Sequence, residues 1–386
     1  MAHVREAPPG RTGVARDPSV PFYDLRPSHA AIREAILADV EELLATNAWT
    51  NGPHVAAFEE AFAAWVGAQA CAGVASGLDA LRLALLAAGL QHGDEVVVPA
   101  NTFVATLEAV TQAGGVPVVA DVSPEDANLD PDAAAAACGP RTRFLLPVHL
   151  YGGMADVVRL EHVARRHALE LIEDACQAHG ATRDERRAGT VGRAAAFSFY
   201  PAKNLGAFGD AGAVTTRDPA LAAEVRVLRE HGQRAKYRHE REGYTARLDT
   251  IQAAVLLRKL PYLDEWTRQR REAARLYSDR LAGIGDLRLP APPAGSDPAW
   301  HLYVVRTGDP AALARILAER GIGTGRHYPE PVHLAAAYRR LGHRRGSFPV
   351  AERLAAEVVS LPLFPGITEE QIERVAGAIE EHFARG

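Results

Sequence analysis

Short apolar runs recur along the first two thirds of the chain. They are Glu95-Val-Val-Val-Pro, Pro117-Val-Val-Ala-Asp, Phe144-Leu-Leu-Pro-Val, Leu169-Glu-Leu-Ile-Glu-Asp and Ala194-Ala-Ala-Phe-Ser-Phe. A strand with one wet face alternates apolar and polar residues. These runs are nearly continuous, which marks strands covered on both faces. Between them lie stretches of helical period. Residues 32–44 place Ile32, Ile36, Val40, Leu43 and Leu44 on one helical face. Ser76 is a good N-cap for a helix that Gly89 closes, and residues 106–112 and 157–167 continue the alternation. The expected fold is α/β, with a mostly parallel sheet sandwiched by helices. Such sheets bind ligands at the carboxyl ends of their strands.

The pattern changes after residue 250. A helix over 250–281 runs past Pro261, where a kink is expected. Beyond Pro290-Ala-Pro-Pro come a strand (300–306), a helix (310–320), an irregular His- and Pro-rich loop (326–334) and a terminal helix (369–383). Residues 1–20 are rich in Pro, Gly and Arg without period. The division expected is a flexible arm (1–20), a large domain (21–255) and a smaller α+β domain (256–386).

Composition narrows the function. Of 386 residues, 47% are hydrophobic and 24% charged, with a net charge of −5. That is an ordinary globular balance, without the basic excess of a nucleic-acid binder. No run approaches the length of a membrane span, and the N-terminus has no apolar core of a signal peptide, so a cytoplasmic location is expected. Cys71, Cys138 and Cys176 sit in apolar contexts and read as buried, reduced thiols. No His or Cys cluster has metal-ligand spacing, so no metal is expected. Of the 43 Lys and Arg residues, only Lys203, Lys236 and Lys259 are lysines. Lys203 alone follows an apolar and aromatic run.

Five elements at strand ends or loops carry candidate chemistry. Ser76-Gly77-Leu78-Asp79 opens a helix whose first N–H groups suit a phosphate. Asn101-Thr102-Phe103 places a ring where it could stack on a flat ligand. Glu173-Asp174-Ala-Cys-Gln177-Ala-His179 ends a strand with two carboxylates, costly to bury without a partner such as a cationic ring nitrogen. Ser198-Phe-Tyr-Pro-Ala-Lys203 puts an amine past a buried strand, where desolvation makes it a better nucleophile. Gly206 to Gly212 lets backbone approach closely or bulge. Singly, each has an ordinary reading: a helix cap, a core ring, a salt-bridged acid, a surface lysine, a turn. Together they are what a protein supplies to pyridoxal phosphate.

In these motifs, and in Pro99-Ala-Asn-Thr-Phe-Val-Ala-Thr, the sequence resembles the DegT/DnrJ/EryC1/StrS sugar aminotransferases of pyridoxal-phosphate fold type I. The resemblance runs from about Pro21 to Phe383. It implies that Lys203 forms the Schiff base, Asp174 pairs with the pyridine nitrogen, Gln177 approaches the ring hydroxyl and Phe103 stacks on the ring. Gly77 and Leu78, through backbone N–H groups, and Ser198 would hold the phosphate. His327, Tyr328 and His333 would border the sugar. Family members commonly carry Asn in a Gly-Tyr-Asn-x-Arg-Leu-Asp stretch that reaches the partner's phosphate across a homodimer. Here Thr245 stands there, with a shorter reach.

The resemblance further implies an amine transferred from L-glutamate to a nucleotide-linked, dTDP-type, keto-6-deoxyhexose, with C3 favoured over C4. Relatives that remove a sugar hydroxyl carry His at the lysine position, so Lys203 implies transamination. Two other readings are kept. One is a cofactor-binding regulator; the other is a nicotinamide-dependent sugar oxidoreductase, which the lack of G-x-G-x-x-G after the first strand disfavours.

Overall fold

The computed structural model describes residues 20–384. The expected arm therefore lies outside the described residues except at Val20. That residue is wholly buried and pairs with Ile322 in the C-terminal part of the chain.

Seven strands form the central sheet: β1 (Ala70–Val74), β2 (Glu95–Pro99), β3 (Val116–Ala120), β4 (Thr142–Leu145), β5 (Glu170–Asp174), β6 (Ala194–Ser198) and β7 (Gly212–Thr216). Their order is β1-β7-β6-β5-β4-β2-β3. The five from β3 to β6 run parallel, and β7 lies antiparallel between β6 and β1. The continuous apolar runs have the expected cause. Val96 and Val98 enter one buried cluster and Val97 another, so both faces are covered.

The helices that matter for the site are α1 (Arg33–Thr46), α2 (Gly77–Ala87), α3 (Ala105–Gln112), α4 (Val157–His167), α5 (Thr250–Lys259) and α6 (Leu263–Leu281). Ile32, just before α1, and Ile36 and Val40 within it pack on Val255, and Leu43 is buried. Leu44 is not on that face: it is 62% exposed, one position past the stripe. The expected break at Pro261 is a short 3₁₀ turn, Leu260–Tyr262, that joins α5 to α6. A proline cannot donate an amide N–H, and the tighter turn accommodates the gap.

The smaller unit carries β8 (Tyr303–Arg306) antiparallel to β9 (Val358–Leu361), with α7 (Pro310–Glu319) and α8 (Glu369–Ala384). The units share α6. Leu263 belongs to a core under the sheet, whereas Tyr277 and Leu281 pack in the C-terminal core with Val20. The division expected at residue 255 thus falls inside α5. Cys71 is buried, but Cys138 and Cys176 are only partly so, and all three are free thiols. No helix among the described residues is long and apolar enough to cross a membrane.

Candidate active site

A cavity of about 520 Å³ opens at the carboxyl ends of the parallel strands. Ser76, Gly77, Leu78, Phe103, Asp174, Gln177, Ser198, Lys203, His327 and Tyr328 all line it. The motifs lie up to 252 residues apart in sequence (328 − 76), and the sheet gathers them at one edge.

The first wall is the start of α2. Ser76 is extended, and its Oγ accepts the Asp79 N–H at 3.0 Å, which leaves the Gly77 and Leu78 N–H groups without helical partners. A Cβ on Gly77 would lie 2.6 Å from Ser198 Cβ and 3.0 Å from its Oγ. Gly77 is therefore small because Ser198 faces it, and the two make a tight anion cradle. Gly212 explains the glycine run after Lys203. A Cβ there would sit 2.2 Å from the Ser76 carbonyl oxygen, so β7 can enter beside the cradle only as glycine.

Asp174 ends β5 and is 5% exposed. Its Oδ2 accepts the Thr106 hydroxyl at 2.9 Å and its Oδ1 the Cys176 N–H at 3.2 Å. Neighbouring Glu173 serves elsewhere. It is wholly buried, and its oxygens accept N–H groups of Gly189, Val191 and Gly192 at 2.9, 2.8 and 2.8 Å. His149 Nδ1 accepts the Ala155 N–H, which leaves Nε2 to donate to Glu173 at 2.9 Å. Burial pushes the Glu173 carboxyl up, but His149 and the backbone donors outweigh it and hold its pKa below the ordinary value.

Lys203 sits in a loop after β6, its backbone N–H bonded to the Tyr200 carbonyl at 2.8 Å. Its side chain reaches the cavity, hemmed by protein. Burial lowers its pKa, and the nearby Cys176 and Asp174 only partly offset that. Phe103 is 53% exposed, so it is cavity wall and not core. Its ring lies 5.7 Å from that of Tyr328. Gln177 Oε1 accepts the Tyr151 N–H at 2.7 Å, and its Nε2 donates to the Tyr328 hydroxyl at 3.0 Å. His327 Nδ1 lies 2.8 Å from Ser360 Oγ, and burial, then Lys203, lowers its pKa to about 4.

Two expected residues stand apart. His333 is not a wall residue: it is 1% exposed, hydrogen-bonded to Glu352 at 3.0 Å and packed edge-on against Phe348. Pairing with Glu352 holds the ring inside the fold, outside the cavity lining. Thr245 also lies outside this cavity, exposed, with Oγ1 3.2 Å from His231 Nε2. Sequence reading missed Phe22, Tyr23, Tyr200, Arg270 and His301, which also line the cavity. Only Tyr200, three residues before Lys203, had a local signal.

The residues present fit pyridoxal phosphate. The cradle leaves no room for a Cβ, a half-exposed ring stands beside it, a buried carboxylate has only neutral donors, and an amine is disfavoured in its charged form. The sequence model of the DegT/DnrJ/EryC1/StrS aminotransferase family matches residues 30–380.

The chain belongs to that family.

It is a pyridoxal-phosphate-dependent sugar aminotransferase. The aminotransferase is 45% identical to the dTDP-3-amino-3,4,6-trideoxy-α-D-glucose transaminase of Streptomyces venezuelae, over 95% of this chain and 97% of that one. It is 46% identical to the erythromycin biosynthesis sensory transduction protein EryC1 of Saccharopolyspora erythraea, over 94% and 99%. The crystal structure of Streptomyces venezuelae DesV with a ketimine intermediate superposes on it with a TM-score of 0.92, at 45% identity, covering 94% and 98% of the two chains.

Proposed function

We propose that this aminotransferase moves the amino group of L-glutamate to C3 of a dTDP-linked keto-6-deoxyhexose. The observation that carries the reading is Lys203. It lines one cavity with Asp174 and with Gly77, Leu78 and Ser198 of the cradle. C3 is favoured over C4 by the names of relatives at 40–45% identity, which are transaminases forming 3-amino sugars.

Lys203 Nζ would hold the cofactor, with Asp174 at the ring nitrogen, Gln177 near the ring hydroxyl and Phe103 against the ring face. Gly77 and Leu78 N–H groups and the Ser198 hydroxyl would take the phosphate. When bound, the cofactor supplies an electron sink for the carbon that exchanges nitrogen. Asp174, fixed by Thr106 and the Cys176 N–H, keeps a proton on the ring nitrogen. Lys203 Nζ, its charged form disfavoured by burial, takes and returns the proton at the reacting carbon. Phe103 and Tyr328 shield that carbon from water on one side, and His327 and Tyr328 border the sugar.

The working unit proposed is a homodimer with its site at the subunit interface. Thr245, outside its own cavity, would face the partner's cradle, and exposed Leu37, Leu44 and Trp49 give the chain apolar surface for such a contact.

One experiment tests the donor and the regiochemistry. The purified protein should be yellow and bleach with L-glutamate, and NMR of the product should place nitrogen on C3. Colour without bleaching overturns the glutamate donor, and nitrogen on C4 overturns the regiochemistry.

A further inference from the structure

Arg270 in α6 lines the same cavity yet is 4% exposed. Its Nη1 donates to three backbone carbonyls, those of Trp300, His301 and Leu363, at 3.2, 3.3 and 3.0 Å. Its Nε is fully shielded and has no partner among the described residues. No carboxylate pairs with it among those residues either. Arg229, the other deeply buried arginine described, is paired with Glu59. Burial lowers the Arg270 pKa only to about 10, so it stays charged near neutrality. A buried guanidinium without a counter-charge is costly, and Nη2, which is not shielded like Nε and has no hydrogen-bond partner among the described residues, is the donor left to meet an anion.

The anion would lie close to the reacting amine. Asn204, next to Lys203, donates to the Ala299 carbonyl at 2.8 Å, and its Oδ1 is 3.2 Å from His301 Nδ1. The segment 299–301 therefore ties the lysine loop to Arg270. The phosphate cradle already has its own donors, at Gly77, Leu78 and Ser198. Glu108, Asp174 and Asp210 are the acids in the wall, and Asp174 bonds to Thr106 and Cys176 instead.

We infer that Arg270 recognises a carboxylate of the amino donor. Nη2 brings N–H donors and a fixed positive charge to a carboxylate, a charge that His301 and His327 do not supply when neutral. This division would let one cavity serve two unlike substrates. A small dicarboxylate is held from the Arg270 side, and the sugar nucleotide lies among the aromatic side chains of Phe22, Tyr23 and Tyr200. The inference rests on the glutamate-donor reading proposed above.

The test uses the cofactor-loaded enzyme as wild type, Arg270→Lys and Arg270→Gln. Three ligands are titrated: L-glutamate, by bleaching of the visible band; glutarate, an unreactive dicarboxylate, by calorimetry; and dTDP, the nucleotide without its sugar, also by calorimetry. Arg270→Gln should weaken glutamate and glutarate at least about tenfold, leave dTDP unchanged, and be partly rescued by Lys. Melting temperatures check folding, since the same side chain ties three carbonyls; if Gln does not fold, the Lys variant carries the comparison. Unchanged glutarate binding, or equal weakening of glutarate and dTDP, overturns the inference. Weakening of dTDP alone reassigns Arg270 to the diphosphate. A wild type that glutamate never bleaches sinks the donor assignment instead, and glutarate binding with and without Arg270 still decides the carboxylate site.

Discussion

Glu173 and Asp174 are consecutive at the end of β5 and serve opposite sides of the sheet. Successive side chains on a strand point to opposite faces. Glu173 therefore turns beneath the Gly189–Gly192 loop, where three N–H groups and His149 hold it. Asp174 turns into the cavity, where Thr106 and one backbone N–H hold it. Both are buried carboxylates, and the pleat alone gives one to the scaffold and the other to the chemistry.

The two acids should separate in mutagenesis. Asp174→Asn should fold normally and lose at least about 100-fold in transaminase rate, because an amide cannot keep the ring nitrogen protonated. Glu173→Gln should instead cost roughly 3 kcal/mol of stability, because its –NH₂ meets N–H donors with nothing to accept. Denaturant titration beside single-turnover kinetics checks both.

Acid should also reveal Glu173. Its folded pKa lies below the ordinary value of 4.5. Its contribution is thus fully present above pH 4.5 and is lost as pH falls through the folded value. Wild-type stability should drop with acid in that window, and Glu173→Gln should flatten the drop. Equal acid slopes for the two proteins would contradict this.

Lys203 is placed for reactivity at the expense of stability. Its folded pKa lies below 10.5, so near neutrality the fold works against its charge. Cofactor-free Lys203→Met should melt no lower than the cofactor-free wild type, while its transaminase activity and visible band vanish. Lys203→Arg should lose activity too, since a guanidinium stays protonated.

Gly77→Ala tests the cradle. Alanine favours helix by up to about 1 kcal/mol, yet the new methyl would meet Ser198 Cβ at 2.6 Å. Cofactor affinity should fall by tenfold or more and the melting temperature should fall with it, since the methyl overpacks the contact; adding Ser198→Ala should not restore binding, because alanine keeps the clashing Cβ and removes a phosphate donor. Equilibrium dialysis with pyridoxal phosphate measures each variant.

Phe103→Ala tests the stacking ring. Being more than half exposed, Phe103 contributes little to the core. The expected outcome is a loss of about 1 kcal/mol in cofactor affinity, roughly fivefold, with an unchanged denaturation midpoint.

Much of this protein was legible before its chain was folded. The strands from Glu95–Pro99 to Ala194–Ser198, the Ser76 cap and the break at Pro261 depend on local period and on what each backbone position tolerates, so residue order suffices. Asp174 and Lys203 were legible because each follows a strand that announces itself, and the cradle because Ser76 opens a helix. Strand β7 was not, because Gly-Ala-Val-Thr-Thr lacks an apolar run and its glycine is set by the distant Ser76 carbonyl. Long-range packing alone turned Leu44 outward, drew His333 to Glu352, and brought Arg270 and His301 to the cavity. Which way a side chain faces depends on what packs against it, and those neighbours lie tens to hundreds of residues away in sequence.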